Sequence, residues 1–113
     1  MMPNSVPSVP ASDLGSLPEG ATLLDVREQE EWDAGHAPDA LHIPMGEIAG
    51  RLAELPADGP VYVICRMGGR SARVTEYLNG NGWDATNVDG GMQSWAALGH
   101  PVICDSGAEP QVI

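Results

Sequence analysis

The sequence predicts an α/β fold built on a mainly parallel sheet with helices on both faces, and three observations carry that expectation. "GPVYVIC" (59–65) is an apolar, β-branched run without alternation, as a strand buried on both faces of a parallel sheet requires. Strand-like runs and stretches at helical spacing alternate along the chain, the pattern of βαβ units. A length of 113 residues, 42% hydrophobic and 19% charged, suits one folded domain with one core.

Taken in order, the Pro- and Ser-rich opening (1–9) is expected to be extended, and "ASDLGSL" (11–17) to form a short helix capped by Ser12 or Asp13. "EGATLLDVRE" (19–28) reads as turn, buried strand and loop. "EQEEWDAGH" (28–36) is a helix with acids in its first turn, which suit the helix dipole, and Gly35 as its stop. "ALHIP" (40–44) is a short strand closed by Pro44, and "MGEIAGRLAELP" (45–56) sets Ile48, Leu52 and Leu55 at helical spacing. "GPVYVIC" is expected at the sheet's centre. A helix starting near Ser71 carries Val74, Tyr77 and Leu78 as an i, i+3, i+4 stripe, and "NGNG" (79–82) ends it. "WDATNVDGG" (83–91) supplies a strand and turn, and "MQSWAALGH" (92–100) a last helix stopped by Gly99.

Sixteen acids against five bases give a formal net charge of -11, which argues against nucleic acid and anionic membrane surfaces as partners. The five bases are all arginines (Arg27, Arg51, Arg66, Arg70, Arg73), and three of them closely follow Cys65. In so acidic a chain that cluster suggests an anion site, against the alternative of plain solubilising charge. The opening residues lack the pattern of a signal peptide, and no run approaches membrane-spanning length. Two cysteines are too few for a stapled secreted domain, so a reducing cytoplasm is expected.

Ligands of open parallel sheets bind beyond the carboxyl ends of the strands, and Cys65 ends the most buried one. Arg66, Met67, Gly68 and Gly69 must then turn the chain into a helix, and glycines let several N–H groups aim inward. Those amides and the helix N-terminus make an anion cradle that favours a thiolate, and hence a nucleophile. The competing reading is a small buried core residue. Cys104, with no glycine loop or cation beside it, looks like the ordinary case, with a resolving thiol as its alternative.

Four segments in order then resemble the rhodanese-like sulfurtransferases: "LLDVREQEEWDAGHAPDALHIP", "VYVICRMGGRSARV", "YLNGNGWDATNVDGG" and "GGMQSWAALGHPV". The resemblance implies a single rhodanese-like domain over 10–104, between the extended segment 1–9 and a tail 105–113. It implies that Cys65 takes sulfur from a small anionic donor such as thiosulfate, holds it as a persulfide, and passes it to cyanide or a thiol. The amides from Arg66 to Ser71 would hold the outer sulfur, and Arg70 would brace the loop and add charge. Arg66 and Met67 are expected to select the donor. Asp25 and Arg27 become scaffold residues paired with loop or helix polar groups. His36 becomes a turn residue with satisfied hydrogen bonds.

Four residues separate Cys65 from Arg70, one fewer than in cysteine phosphatases, and Ser71 stands where their arginine would. Phosphatase or arsenate reductase chemistry is therefore placed behind sulfur transfer. A different alternative is a rhodanese-like sulfur-relay module fed by a protein donor, or a non-enzymatic domain that only docks to a partner. Asp39 stands where the family commonly has glycine, and aspartate tolerates left-handed geometry. His42, His100 and the cysteines lack metal spacing, so no metal and no cofactor are expected. The three tryptophans read as packing residues.

Overall fold

A computed structural model describes residues 6–113, and in it the buried run that the sequence marks out becomes the middle of a five-stranded, wholly parallel sheet. The strands are β1 (Ser8–Pro10), β2 (Thr22–Asp25), β3 (Leu41–His42), β4 (Pro60–Ile64) and β5 (Asp84–Asp89), in spatial order β1-β5-β4-β2-β3. The helices are α1 (Gln29–Ala34), α2 (Gly69–Gly80) and α3 (Gly91–Ala97). Part of the opening expected to be merely extended is thus a strand, since Val9 pairs with Val88 of β5.

Alternation along β2 and β4 sends side chains to two cores. Leu24, Val61, Val63 and Cys65 join Val74 and Leu78 of α2, with Ile48 and Leu55, on one face. Leu23, Ile64 and Val88 join Met92 and Trp95 of α3, with Ala11 and Leu14, on the other. Helices do cover both faces, and Cys65 continues the side of β4 that meets α2. Leu78 is fully buried, which is worth about 2 kcal/mol by area.

Three local expectations differ. Residues 45–56 form two 3-10 turns, Met45–Glu47 and Leu52–Glu54, and not a continuous α-helix. Gly46 and Gly50 each weaken a helix by about 1 kcal/mol relative to alanine, and burial of Ile48 and Leu55 is achieved without one. Ala11–Asp13 is a single 3-10 turn preceded by Pro10, with no side-chain cap from Ser12 or Asp13. Gly35 follows α1 in extended geometry, so handedness is not its reason; a Cβ there would sit 2.6 Å from the Gln111 carbonyl oxygen.

That last contact reports how residues after Cys104 run. Gln111 N–H donates to the Ala34 carbonyl at 2.8 Å, Asp105 meets His36 Nε2 at 2.9 Å, and Val112 packs against the α3-side core. Asp39 has a left-handed φ of 64°, as the sequence anticipates for that position.

Candidate active site

Because every strand runs the same way, Asp25, His42, Cys65 and Asp89 all lie at or just beyond the carboxyl edge of the sheet. Cys65 is only 1% exposed and floors an open cleft of about 290 Å³ lined by Arg66, Met67, Gly69 and Arg70. Gly68 adopts a φ of 115°, and its N–H donates to Cys65 Sγ at 3.1 Å. A side chain at that φ would be strained, so the glycine is what lets this amide face the sulfur. Helix α2 begins with the next residue, bringing its positive end to the thiol.

The electrostatics follow. Burial pushes the Cys65 thiol up, but donation from the Ser71 hydroxyl and from the amides of Ser71, Gly68 and Met67 outweighs it, leaving the thiol below its ordinary range. The loop's carbonyls are directed elsewhere. Met92 N–H donates to the Cys65 carbonyl at 2.7 Å and Gln93 N–H to that of Arg66 at 3.0 Å, so the first turn of α3 occupies them. Gly91 permits this approach: a Cβ on it would lie 2.6 Å from the Arg66 carbonyl oxygen and closer still to that of Cys65.

Arg70 is tied to α1 through Glu31, a residue far from it in sequence. Its guanidinium makes a fork with Glu31, Nη1 to Oε1 at 2.7 Å and Nη2 to Oε2 at 2.9 Å. Glu31 Oε1 also accepts the Glu28 N–H, completing a capping box on α1. The Arg70 guanidinium pulls the Glu31 carboxyl down to about 2, burial opposing and the Glu28 amide assisting, and Glu31 in turn raises Arg70. Arg66 makes no ion pair among the described residues, and Met67 is 62% exposed at the rim.

Asp25 and Arg27 pair chiefly with each other. Arg27 Nε and Nη2 donate to the carboxylate, the shortest bond being 2.7 Å, and both residues are wholly buried. Arg27 also donates to the carbonyls of Glu31 and Gly35, so the pair ties β2 to α1 and through Glu31 to Arg70. None of their bonds reaches the sulfur. His36 likewise stands apart from the cleft: its ring nitrogens face two acceptors, Nδ1 the Ala37 carbonyl at 3.0 Å and Nε2 Asp105 Oδ1 at 2.9 Å, and the ring stacks on Trp32 at 3.6 Å. The structure thus sets Cys65, Arg66, Met67, Gly68, Gly69, Arg70 and Ser71 around one cleft, in a loop and the first turn of α2, and places Asp25, Arg27 and His36 outside hydrogen-bond contact with the sulfur.

Two residues with no mark in the sequence reading join the site. Asn87 Oδ1 of β5 lies 2.6 Å from Ser71 Oγ and competes with Cys65 Sγ, 3.2 Å from the same oxygen, for the one hydroxyl hydrogen bond Ser71 can donate. Glu31 is the other. An acid in a helix's first turn looks like dipole compensation, and only the fold brings it to Arg70.

A model of the rhodanese-like domain matches residues 11–98. The chain belongs to that family. It is 36% identical over 107 residues to a sulfurtransferase of Allochromatium vinosum, covering 94% of this chain and 100% of that one. It is 38% identical over 80 residues to the thiosulfate sulfurtransferase GlpE of Pseudomonas savastanoi, covering 70% and 76% of the two chains. Among solved structures, a rhodanese-related protein of Thermoplasma volcanium superposes with a TM-score of 0.82 at 36% identity, over 88% of this chain and 99% of that one. The rhodanese-like fold expected from the four segments is therefore the fold observed.

Proposed function

We propose that this rhodanese-like protein is a sulfurtransferase of the thiosulfate type, carrying the transferred sulfur on Cys65. The observation that carries the reading is the Cys65 sulfur, recessed at the cleft floor and receiving the Gly68 amide at 3.1 Å. A thiolate is favoured there, and a charged sulfur has donors waiting. The sulfurtransferase names of its relatives support the same chemistry.

In the first step Cys65 thiolate attacks the outer sulfur of thiosulfate. The new S–S bond forms as the old one breaks, and sulfite leaves with the electron pair. The product is a Cys65 persulfide whose outer sulfur bears the charge, with loop amides of Met67, Gly68, Gly69 and Ser71 as its donors. Cyanide or a thiolate then takes that sulfur and returns the Cys65 thiolate. This route calls on no separate general base, because the loop's donors favour the thiolate form of the nucleophile. Arg66, free of ion pairing among the described residues, is the cation that draws the donor anion into an acidic protein, and Met67 shapes the rim. Arg70 adds charge and braces the loop through Glu31. That engagement, with Ser71 at the next position, leaves the loop without the bidentate clamp that phosphate chemistry needs.

A second reading is that a protein supplies or accepts the sulfur. Met67, 62% exposed beside the cleft, favours it by offering apolar surface to a macromolecular thiol. Both cysteines are free, which fits a reducing cytoplasm.

The test is intact mass after incubation with thiosulfate, then peptide mapping, with Cys65→Ser and Cys104→Ser alongside. One added sulfur on Cys65, released by cyanide and missing only from Cys65→Ser, is the expected result. A folded, reduced protein that gains no sulfur overturns thiosulfate as donor and leaves the protein-fed reading.

A further inference from the structure

Ser71 has one hydroxyl proton and two neighbours that want it. Its Oγ lies 2.6 Å from Asn87 Oδ1 and 3.2 Å from Cys65 Sγ, and all three residues are buried. With the proton on Asn87, Ser71 accepts from the sulfur, which must then be the neutral S–H. Once the sulfur is charged it needs the Ser71 proton, and Asn87 Oδ1 is left facing an oxygen lone pair at hydrogen-bond distance. An unsatisfied buried acceptor of this kind costs about 1–3 kcal/mol.

An amide escapes the conflict by turning over, so that Nδ2 donates to Ser71 Oγ. Asn87 loses little by doing so. Its Nδ2 now holds only long contacts, 3.5 Å to Ser8 Oγ and 3.4 Å to Asp89 Oδ1. The Ser8 hydroxyl, which now donates to the Val6 carbonyl at 3.3 Å, turns to the carbonyl oxygen that takes its place, and Asp89, exposed to water, swings its carboxylate away. The backbone meanwhile stays fixed, because Asn87 N–H donates to Pro7 O at 2.8 Å.

We propose that Asn87 is a positioning residue acting through Ser71: it accepts the Ser71 proton while Cys65 is protonated, and donates to Ser71 Oγ when the sulfur is charged. The only proton that changes owner is that of the thiol, which leaves through the cleft to solvent. The Ser71 O–H bond rotates without breaking. The charged groups around the unit are Arg66 of the loop, Arg70 of α2 with Glu31 of α1 and Glu28 at its N-cap behind it, and Asp89 of β5. The inference rests on Cys65 being the reacting thiol, but not on which donor feeds it.

The test reads ionisation directly, as the rate of iodoacetamide alkylation against pH in a Cys104→Ser background. Asn87→Leu leaves the Ser71 proton no acceptor but the sulfur. An orphaned donor is worse than an under-used acceptor, so the thiol's pKa should fall by about 0.5 unit or more. Asn87→Asp, which only accepts, should raise it. In Ser71→Ala protein the leucine shift should vanish, which a merely structural role for Asn87 would not produce. An unchanged or raised pKa in Asn87→Leu, or the same fall without Ser71, overturns the proposal. Should that variant misfold, the Asn87 side-chain amide signals of wild-type protein decide by NMR: they should move as Cys65 ionises and stay still in Cys65→Ser, and signals indifferent to ionisation overturn it. Thiosulfate turnover is not measured, so failure here is distinct from failure of the sulfurtransferase reading.

Discussion

Cys65 and Cys104 carry the same thiol in opposite surroundings. Cys104 Sγ meets the Asp33 carbonyl and the Ser106 hydroxyl, near no amide cradle, whereas Cys65 receives the Gly68 N–H. Around it, single charges make separable predictions. Arg66→Glu should raise the thiosulfate KM several-fold, most strongly at low ionic strength, with a smaller change at saturation; steady-state assays at two salt concentrations check this. Glu31 is held at about 2 against its ordinary 4.5 by Arg70. A carboxyl depressed by folding stabilises fully above its unfolded value and loses that contribution as pH falls toward the folded one. Wild-type protein should therefore lose stability between pH 4.5 and about 2 that Glu31→Gln does not lose, as urea midpoints across that range would read. The buried pair is costlier to break. Asp25→Ala leaves Arg27 uncompensated and should destabilise by about 3–5 kcal/mol in urea unfolding, with Cys65 chemistry kept in the protein that remains folded.

At the scale of elements, the site is where the ends of β4, α2 and α3 meet, and the glycines there are not equivalent. Gly91→Ala would drive a methyl into the backbone of Cys65 and Arg66, so it should lower both thermal stability and sulfur loading. Gly80→Ala at the end of α2 meets open space, and should leave loading unchanged while stabilising by about 0.4–1 kcal/mol. Melting curves and mass spectra of the two variants check this. The central strand and the loop after it were legible because their signals are local: an unbroken β-branched run, then Cys65 and the glycine pair. The docking of α3 on that loop was not, because the chain shows a Gly-Gly turn at 90–91 but not which carbonyls its amides will meet. Asn87 was hidden for a similar reason, being one polar residue inside a strand whose partner, Ser71, lies on another element. Residues 45–56 misled because helical spacing of Ile48, Leu52 and Leu55 says which residues face the core, while Gly46 and Gly50 decide how regular the backbone between them is.

For the whole molecule, support converges on the loop from regions distant in sequence. Arg27 fastens α1, α1 presents Glu31, and the residues after Cys104 return to cover the other side of α1 through Gln111 and Asp105. Deleting 105–113 should lower stability by about 1–3 kcal/mol, the loss of the partly buried Val112 and of these bonds, and a thermal melt reads it. The lateral margins of the sheet have a different consequence. Among the described residues, β1 has three and ends in proline, and β3 has only two, so the described margins offer an incoming chain no more than a few unpaired backbone groups. A formal net charge of -11 adds repulsion between copies, so the short described margins and the charge act together against strand-to-strand association at high concentration.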